Sequence, residues 1–376
     1  MSERHQGCSE LGELPRPASG DKEECAARTA IHASLTIVAM LFSLCLGLGT
    51  ARAQSTVEDF YRGRQVNLIV GYGPGGGYDI TARLLARHIG DYIPGHPAIV
   101  VQNMAGAGGL RAANFLYAVA PGDGTTIGLF QNTIPLEPLY GNRQAAFDAK
   151  RFQWLGSPSQ EFAVFAIWHT VPVDTVADAR THELAIGAPG STSSPAFYGR
   201  IFAAVLGMKI RIIAGYPGEA EALLAMERRE NDGNSSAYWS SLKATHPDWL
   251  AEKKIKFLLQ YGSHPRAELK DVPFAPDLTG DPMKRKIVEI AAAPLALGRP
   301  IAAPPGVPAD RIAALRAALA DTFRDPDYLA ECQNLRLECD EPVPAQSITD
   351  GLTRAYAASP DVVLRLREIY QAGNAR

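Results

Sequence analysis

From residue 65 onward the chain alternates short apolar runs with amphipathic stretches. Positions 65–70 form a largely aliphatic run that stops at a cluster of glycines. Over 79–90, Ile80, Leu84, Leu85 and Ile89 share one helical face and Arg83 and Arg87 the other, which predicts a surface helix. A second strand is predicted at 98–101, a second helix at 112–119, and a third strand at 126–130 after the turn Pro121-Gly122-Asp123-Gly124. This order predicts an α/β fold, with a mostly parallel sheet covered by helices on both faces.

The pattern restarts with strands at 162–168 and 183–187. Ser194 suits an N-cap and Pro195 the first helical turn, so a helix is predicted over 195–206. A strand at 209–213, the turn Gly215-Tyr216-Pro217-Gly218, a helix over 219–228 and a strand at 256–260 follow. Beyond the proline-rich stretch 302–308, amphipathic helices are predicted over 310–323 and 359–371. No internal repeat or low-complexity tract interrupts this order.

The N-terminus has another character. A polar leader is followed by an apolar run at 35–49 and by Ala51-Arg52-Ala53, a small-residue cleavage pattern. Residues 1–53 therefore read as a secretory signal peptide, the run being shorter than the roughly 20 apolar residues that span a bilayer. Export to the periplasm is the expectation. Cys8, Cys25 and Cys45 would leave with the leader, and Cys332 and Cys339 would remain. An oxidising compartment allows these two to pair, and two separate buried thiols are the alternative.

Length and a composition of 46% hydrophobic and 20% charged residues are those of a globular chain with two domains. A net charge of −3 with no basic block gives no reason to expect a nucleic-acid partner.

Gly71, Gly73 and Gly76 match the G-x-G-x-x-G dinucleotide fingerprint, but the context does not. The second strand ends at Gln102-Asn103 without the acidic residue that binds ribose, Asp91 lies on the preceding helix, and Pro74 interrupts the glycines. No cofactor is expected. What survives is the physical content of such a loop: close backbone approach, and N–H groups at a helix start that favour an anion. The device occurs three times after predicted strands, at 73–77, 106–109 and 190–194, so a small anionic ligand is expected where the strands end. Asp79 suits either the start of its own helix or a ligand contact.

Signs of catalysis and of metal binding are missing. No G-x-S-x-G elbow surrounds Ser191 or Ser193, and the histidines lack metal-ligand spacing. An exported hydrolase is the weakest reading.

These residues resemble the Bug-type extracytoplasmic solute receptors of tripartite tricarboxylate transporters. The resemblance is carried by Leu68-Ile69-Val70-Gly71-Tyr72-Gly73-Pro74-Gly75-Gly76-Gly77-Tyr78-Asp79, by Asn103-Met104-Ala105-Gly106-Ala107-Gly108-Gly109, and by the Ser/Thr loop at 186–194. Gly215-Tyr216-Pro217-Gly218, Asp271-Val272-Pro273 and the stretch 303–308 fall in the expected order, so about the whole of the chain after the leader is covered. The resemblance implies a periplasmic binding protein type II-like fold, two α/β domains with a ligand cleft between them. Residues 54–160 and 261–376 would form one domain and 161–260 the other. It further implies a monomeric receptor that takes a small organic anion, typically a carboxylate, and hands it to membrane permease subunits; a binding protein feeding a sensor is the alternative.

Carried over by position, Tyr72, Pro74, Gly75, Gly76, Asp79, Gly106, Ala107, Ser191, Thr192 and Ser193 would line the cleft, with Gln131, Asn132 and Tyr216 as further candidates. Backbone N–H groups, without a buried arginine, would hold the carboxylate. Two departures border the cleft: Gly71-Tyr72-Gly73-Pro74 stands where the family has Pro-Phe-x-Pro, and Met104-Ala105 where it has Arg-Pro. Tyr238 and Trp239 would add either an aromatic wall or ordinary core.

Overall fold

The computed structural model describes residues 56–372; the expected signal peptide lies outside them. Helix α1 (Val57–Tyr61) leads into β1 (Gln65–Val70), α2 (Gly77–His88), β2 (Ala98–Asn103), α3 (Leu110–Ala118), β3 (Thr126–Leu129) and β4 (Gln153–Ser157). Next come β5 (Ala163–Trp168), β6 (Leu184–Ala188), α4 (Ser194–Leu206), β7 (Ile210–Ala214), α5 (Glu219–Glu227), β8 (Gly233–Tyr238), α6 (Trp239–Thr245), α7 (Pro247–Ala251) and β9 (Ile255–Tyr261). The chain ends through α8 (Pro282–Ala292), β10 (Ile301–Ala303), α9 (Ala309–Thr322), α10 (Pro326–Asn334), β11 (Val343–Pro344), α11 (Ala345–Tyr356) and α12 (Pro360–Ala372).

Two sheets result, in the orders β11-β4-β10-β3-β1-β2 and β7-β6-β8-β5-β9. The first three strands pair in parallel as their βαβαβ order requires, with Val70 opposite both Asn103 and Leu129. The expected mostly parallel sheet is nevertheless a mixed one. The chain leaves the first sheet after β4 and re-enters it as β10, which runs antiparallel to both β3 and β4. The second sheet is mixed likewise: β6 pairs in parallel with β7 and β8, and β5 runs antiparallel to β8 and β9.

Most predicted elements appear within one to three residues of their expected ends. Ser194 does not cap α4: Ser193 does, in an extended conformation, and Ser194 and Pro195 open the helix. Strand β8 was not predicted because Gly-Asn-Ser-Ser-Ala-Tyr has no apolar alternation, yet every residue of it is buried. Most of its polar groups find partners: Ser235 donates to the Pro195 carbonyl at 2.5 Å, and the Asn234 side chain accepts from the Ser236 N–H at 2.8 Å. Cys332 and Cys339, at the end of α10 and just beyond it, are joined by a disulfide.

The two connections between the sheets are locked to each other. Glu161 lies on the outgoing connection and Arg299 on the returning one, and their side chains, 1% and 2% exposed, meet at 2.5 Å. The rest of the guanidinium is used as well: Nη1 donates to Thr81 Oγ1 of α2, and Nη2 to Ser240 and Ser241 of α6. Gly298, at φ +64°, lets the chain turn in under Ser159, where a side chain would collide with the Ser159 carbonyl. Burial pushes the Glu161 carboxyl up, and the Arg299 charge beside it opposes that shift. Arg299 stays protonated, since no protein environment removes its proton.

A buried pair broken on one side leaves an uncompensated charge, which typically costs about 3–5 kcal/mol. Glu161→Gln is therefore expected to lower unfolding stability by about that amount in a urea titration. A loss under about 1 kcal/mol, the scale of a surface pair, would mean that Glu161 is not what holds Arg299 in place.

Candidate functional site

Five loops that approach the space between the sheets leave the carboxyl ends of parallel strands, where α/β proteins gather ligand groups. β1 opens into residues 71–76, β2 into 104–109, β6 into 189–193, β7 into 215–218 and β3 into 130–133. The first two loops need backbone conformations that glycine permits: Gly75 has φ +89°, Gly106 +140° and Gly108 +62°. Between the last two, Ala107 also takes a positive φ of 47°, an uncommon state for a residue with a side chain.

The loops from opposite sheets touch. The Gly73 N–H donates to the Pro217 carbonyl at 3.2 Å, and the Thr192 hydroxyl donates to the Ala107 carbonyl. A side chain on Gly108 would stand 2.5 Å from the Ser193 nitrogen, and one on Gly190 would collide with the Gly108 nitrogen. Only glycine at both positions permits this approach.

Behind the contact lies a small cavity of about 20 Å³, room for roughly one water, with tyrosine rings and polar side chains in its wall. Tyr72, Tyr78 and Gln131 line it from the first sheet's side, and Pro189, Ser194, Pro195, Glu219, Ser236 and Tyr238 from the second's. Three phenol rings stand in a row, Tyr72 to Tyr78 at 5.3 Å and Tyr78 to Tyr238 at 6.1 Å between centroids. Tyr238 links both sides, its hydroxyl donating to Asn132 Oδ1 at 3.1 Å and lying 3.2 Å from Ser194 Oγ. Gln131 Nε2 reaches Thr133 and Ser194 at 2.5 Å each. Its Oε1 and the Ser236 Oγ are buried without a hydrogen-bond partner. Glu219, the first residue of α5, has Asn234 at 3.4 Å, and desolvation pushes its carboxyl up to about 7. Arg299 lies behind the rings, 5.0 Å from Tyr78 and 5.8 Å from Tyr238, bound to Glu161 rather than turned into the cavity.

The expected residues divide into wall, rim and support. Tyr72 and Gln131 are in the cavity wall. Asn132 is fully buried and reaches the wall through Tyr238. Pro74, Gly75, Gly106, Ala107 and Ser191 are exposed on the rim, Gly76 is half-buried, and Thr192 and Ser193 close the contact beneath them. Asp79 is buried and already bonded: it accepts from the Gly75 N–H, from Arg83 Nε and from Asn103 Nδ2, all at 2.9 Å. Those bonds, Arg83 and Gly75 chief among them, hold its carboxyl below the usual range in spite of burial. It thus clamps the glycine loop to α2 and to the end of β2. Tyr216 points to Asn231, 3.5 Å away, and is not part of the wall.

Tyr78, Glu219 and Ser236 are wall residues that sequence reasoning did not single out. Tyr78 lay inside the glycine motif itself, whereas Glu219 looked like an ordinary acidic first turn of a helix. Tyr238 is the aromatic wall that its position allowed, and Trp239 turns away to pack on Phe257 and donate to Glu268. A far larger hollow of about 1000 Å³ lies between α8, α11 and α12, lined by Ile290, Leu297, Leu352 and Val362 among others, and shares no residue with the glycine loops. Among the described residues, no group of three or more His, Cys, Asp or Glu could hold a metal ion, and no helix is long and apolar enough to cross a membrane.

Two mixed sheets joined by paired connections, with strand-end loops meeting across a cleft, define a periplasmic-binding-protein type II-like fold. The chain belongs to the tripartite tricarboxylate transporter family of receptors, whose family model matches residues 82–349. BugT of Bordetella pertussis is 36% identical over 103 residues, which span 27% of this chain and 31% of BugT. A Cupriavidus necator protein described as "UPF0065 protein in gbd 5'region" is 27% identical over 247 residues, 62% of this chain and 69% of that one. The solved structure of the periplasmic binding protein BugD superposes with a TM-score of 0.65 at 18% identity, covering 84% of this chain and 99% of BugD. MatC from Rhodopseudomonas palustris, with bound malate, gives 0.65 at 19% identity over 80% of this chain and 99% of MatC.

The collision at Gly190 makes a prediction. Gly190→Ala leaves α4 and β6 intact but keeps the 189–193 loop from seating on Gly108. In small-angle scattering the variant is expected to have a larger radius of gyration than wild type, with nearly the same melting temperature. Equal radii would mean that the two loops do not set the spacing of the sheets.

Proposed function

We propose that the protein is an exported, periplasmic receptor that captures a small organic carboxylate between two domains and delivers it to membrane permease subunits of a tripartite tricarboxylate-type transporter. In this reading residues 54–160 and 261–376 form one domain and 161–260 the other, and residues 1–53 are removed on export. The protein acts as a carrier, without catalysis.

The observation that carries the reading is the small cavity lined by three tyrosines, Gln131, Ser194, Glu219 and Ser236, behind the contact between the strand-end loops of the two sheets. It occurs in a chain of a receptor family whose fold neighbours include MatC with bound malate and a second R. palustris protein with adipate. A cavity of about 20 Å³ is far smaller than any carboxylate, so the loops must separate to admit one and then settle around it. The rim residues Gly76, Gly106, Ala107 and Ser191 and, once the loops separate, Thr192 and Ser193 would supply backbone N–H groups and hydroxyls, while Pro74 and Gly75 would shape the first loop around the ligand. The wall residues Tyr72, Gln131 and, through Tyr238, Asn132 would orient the rest of the ligand. Fixed dipoles in a site that excludes water act more strongly than the same groups in water. Asp79 would hold the first loop in shape rather than touch the ligand.

The test is a thermal-shift screen of the purified protein against mono-, di- and tricarboxylates, with NAD, phosphate and sugars as controls. A ligand that binds only the folded state raises the melting temperature once its concentration passes Kd. One class of carboxylates is expected to do so at micromolar concentration, about −8 kcal/mol of binding free energy. Stabilisation by NAD or by sugars alone, with every carboxylate silent, would defeat the reading.

A further inference from the structure

We infer that the ligand carries a positively charged, hydrogen-donating nitrogen in addition to its carboxylate, and that Glu219 binds this nitrogen; the inference rests on the cavity between the sheets being the ligand site. The charges in the wall point this way. Glu219 is the one carboxylic acid among the described residues that line the cavity, and no Lys, Arg or His stands beside it there. The nearest guanidinium, Arg299, is behind Tyr78 and Tyr238 and already bonded to Glu161. On the same first turn of α5, Glu221 has a buried Oε2 with no hydrogen-bond partner.

A dicarboxylate in such a cavity would set one of its anionic ends against Glu219, and with little water between them the two could sit together only if one carboxyl took up a proton. An amino carboxylate would not need one. Its carboxylate would take the hydroxyl and the backbone N–H of Ser194, the first residue of α4, which lies in the same wall. Its ammonium has acceptors waiting. Glu219 has one long contact, to Asn234, and the buried Oε1 of Gln131 has none. Tyrosine hydroxyls and ring faces add favourable partners for a cation. Desolvation raises the Glu219 carboxyl to about 7, Arg299 opposes that shift and Glu161 adds to it. A cation brought beside the carboxylate restores its charged form.

The test is calorimetric titration of the purified protein with α- and ω-amino carboxylates of three to six carbons and with dicarboxylates of the same lengths. An amino carboxylate is expected to bind at least about tenfold more tightly than the dicarboxylate of its length, and Glu219→Gln to abolish that preference. Acetylating the nitrogen of the preferred ligand, which removes the charge without touching the protein, is expected to cost about as much. That arm decides the matter even where the variant fails to fold. A preference for dicarboxylates, or a preference for amino carboxylates that survives both changes, would overturn the inference and leave the carboxylate receptor standing. Binding of neither class would overturn both.

Discussion

The ion pair between Glu161 and Arg299 is the constraint around which the molecule is arranged. Each residue lies on one of the two connections between the sheets, and neither side chain is accessible to water that could replace its partner. The remaining nitrogens of Arg299 bind Thr81 on a helix of the first sheet and Ser240 and Ser241 on a helix of the second. One side chain therefore joins both connections and a helix from each side. Movement at this joint would strip a buried charge of its partners. Movement at the far loops, whose contacts are a few hydrogen bonds, meets much less resistance.

From that joint the cavity follows. The faces of Tyr78 and Tyr238 rest against the guanidinium, and their hydroxyls lie 3.4 Å apart in the wall. The glycines at 108 and 190 then let the loops of the two sheets meet above the phenols. Asp79 is the complementary anchor: it fixes the Gly75 turn to Arg83 and Asn103, so the first glycine loop is held rigidly although its tip is exposed. A receptor with one firm joint, one preformed loop and one easily broken contact can close on a ligand at little cost in ordering.

Much of this was legible in the sequence because apolar periodicity is strong in the parallel strands and in the helices that cover them. Residues 65–70, 79–90 and 126–130 were recognisable for that reason, and the three loops could be placed at strand ends. What escaped is what tertiary contact decides. β8 is a buried strand of small polar residues that has no apolar alternation to reveal it. The antiparallel return of β10 depends on a connection of about forty residues whose route no local pattern specifies. Arg299, between Gly298 and Pro300, was not singled out, and the sequence offered no hint that a buried arginine would stand beside the site. Glu219 fitted the start of any helix. Its position in the wall is set by how β7 turns at Gly215-Tyr216-Pro217-Gly218 to face the first loop.

The measurement that tests the account most directly is a crystal structure of the protein grown with the carboxylate that stabilises it most. Ligand density is expected between the loops at 73–76, 106–109 and 190–193, in contact with Tyr72 and Gln131, with Arg299 still bound to Glu161. Density in the large hollow between α8, α11 and α12, with the loops still in contact and the small cavity unchanged, would contradict it.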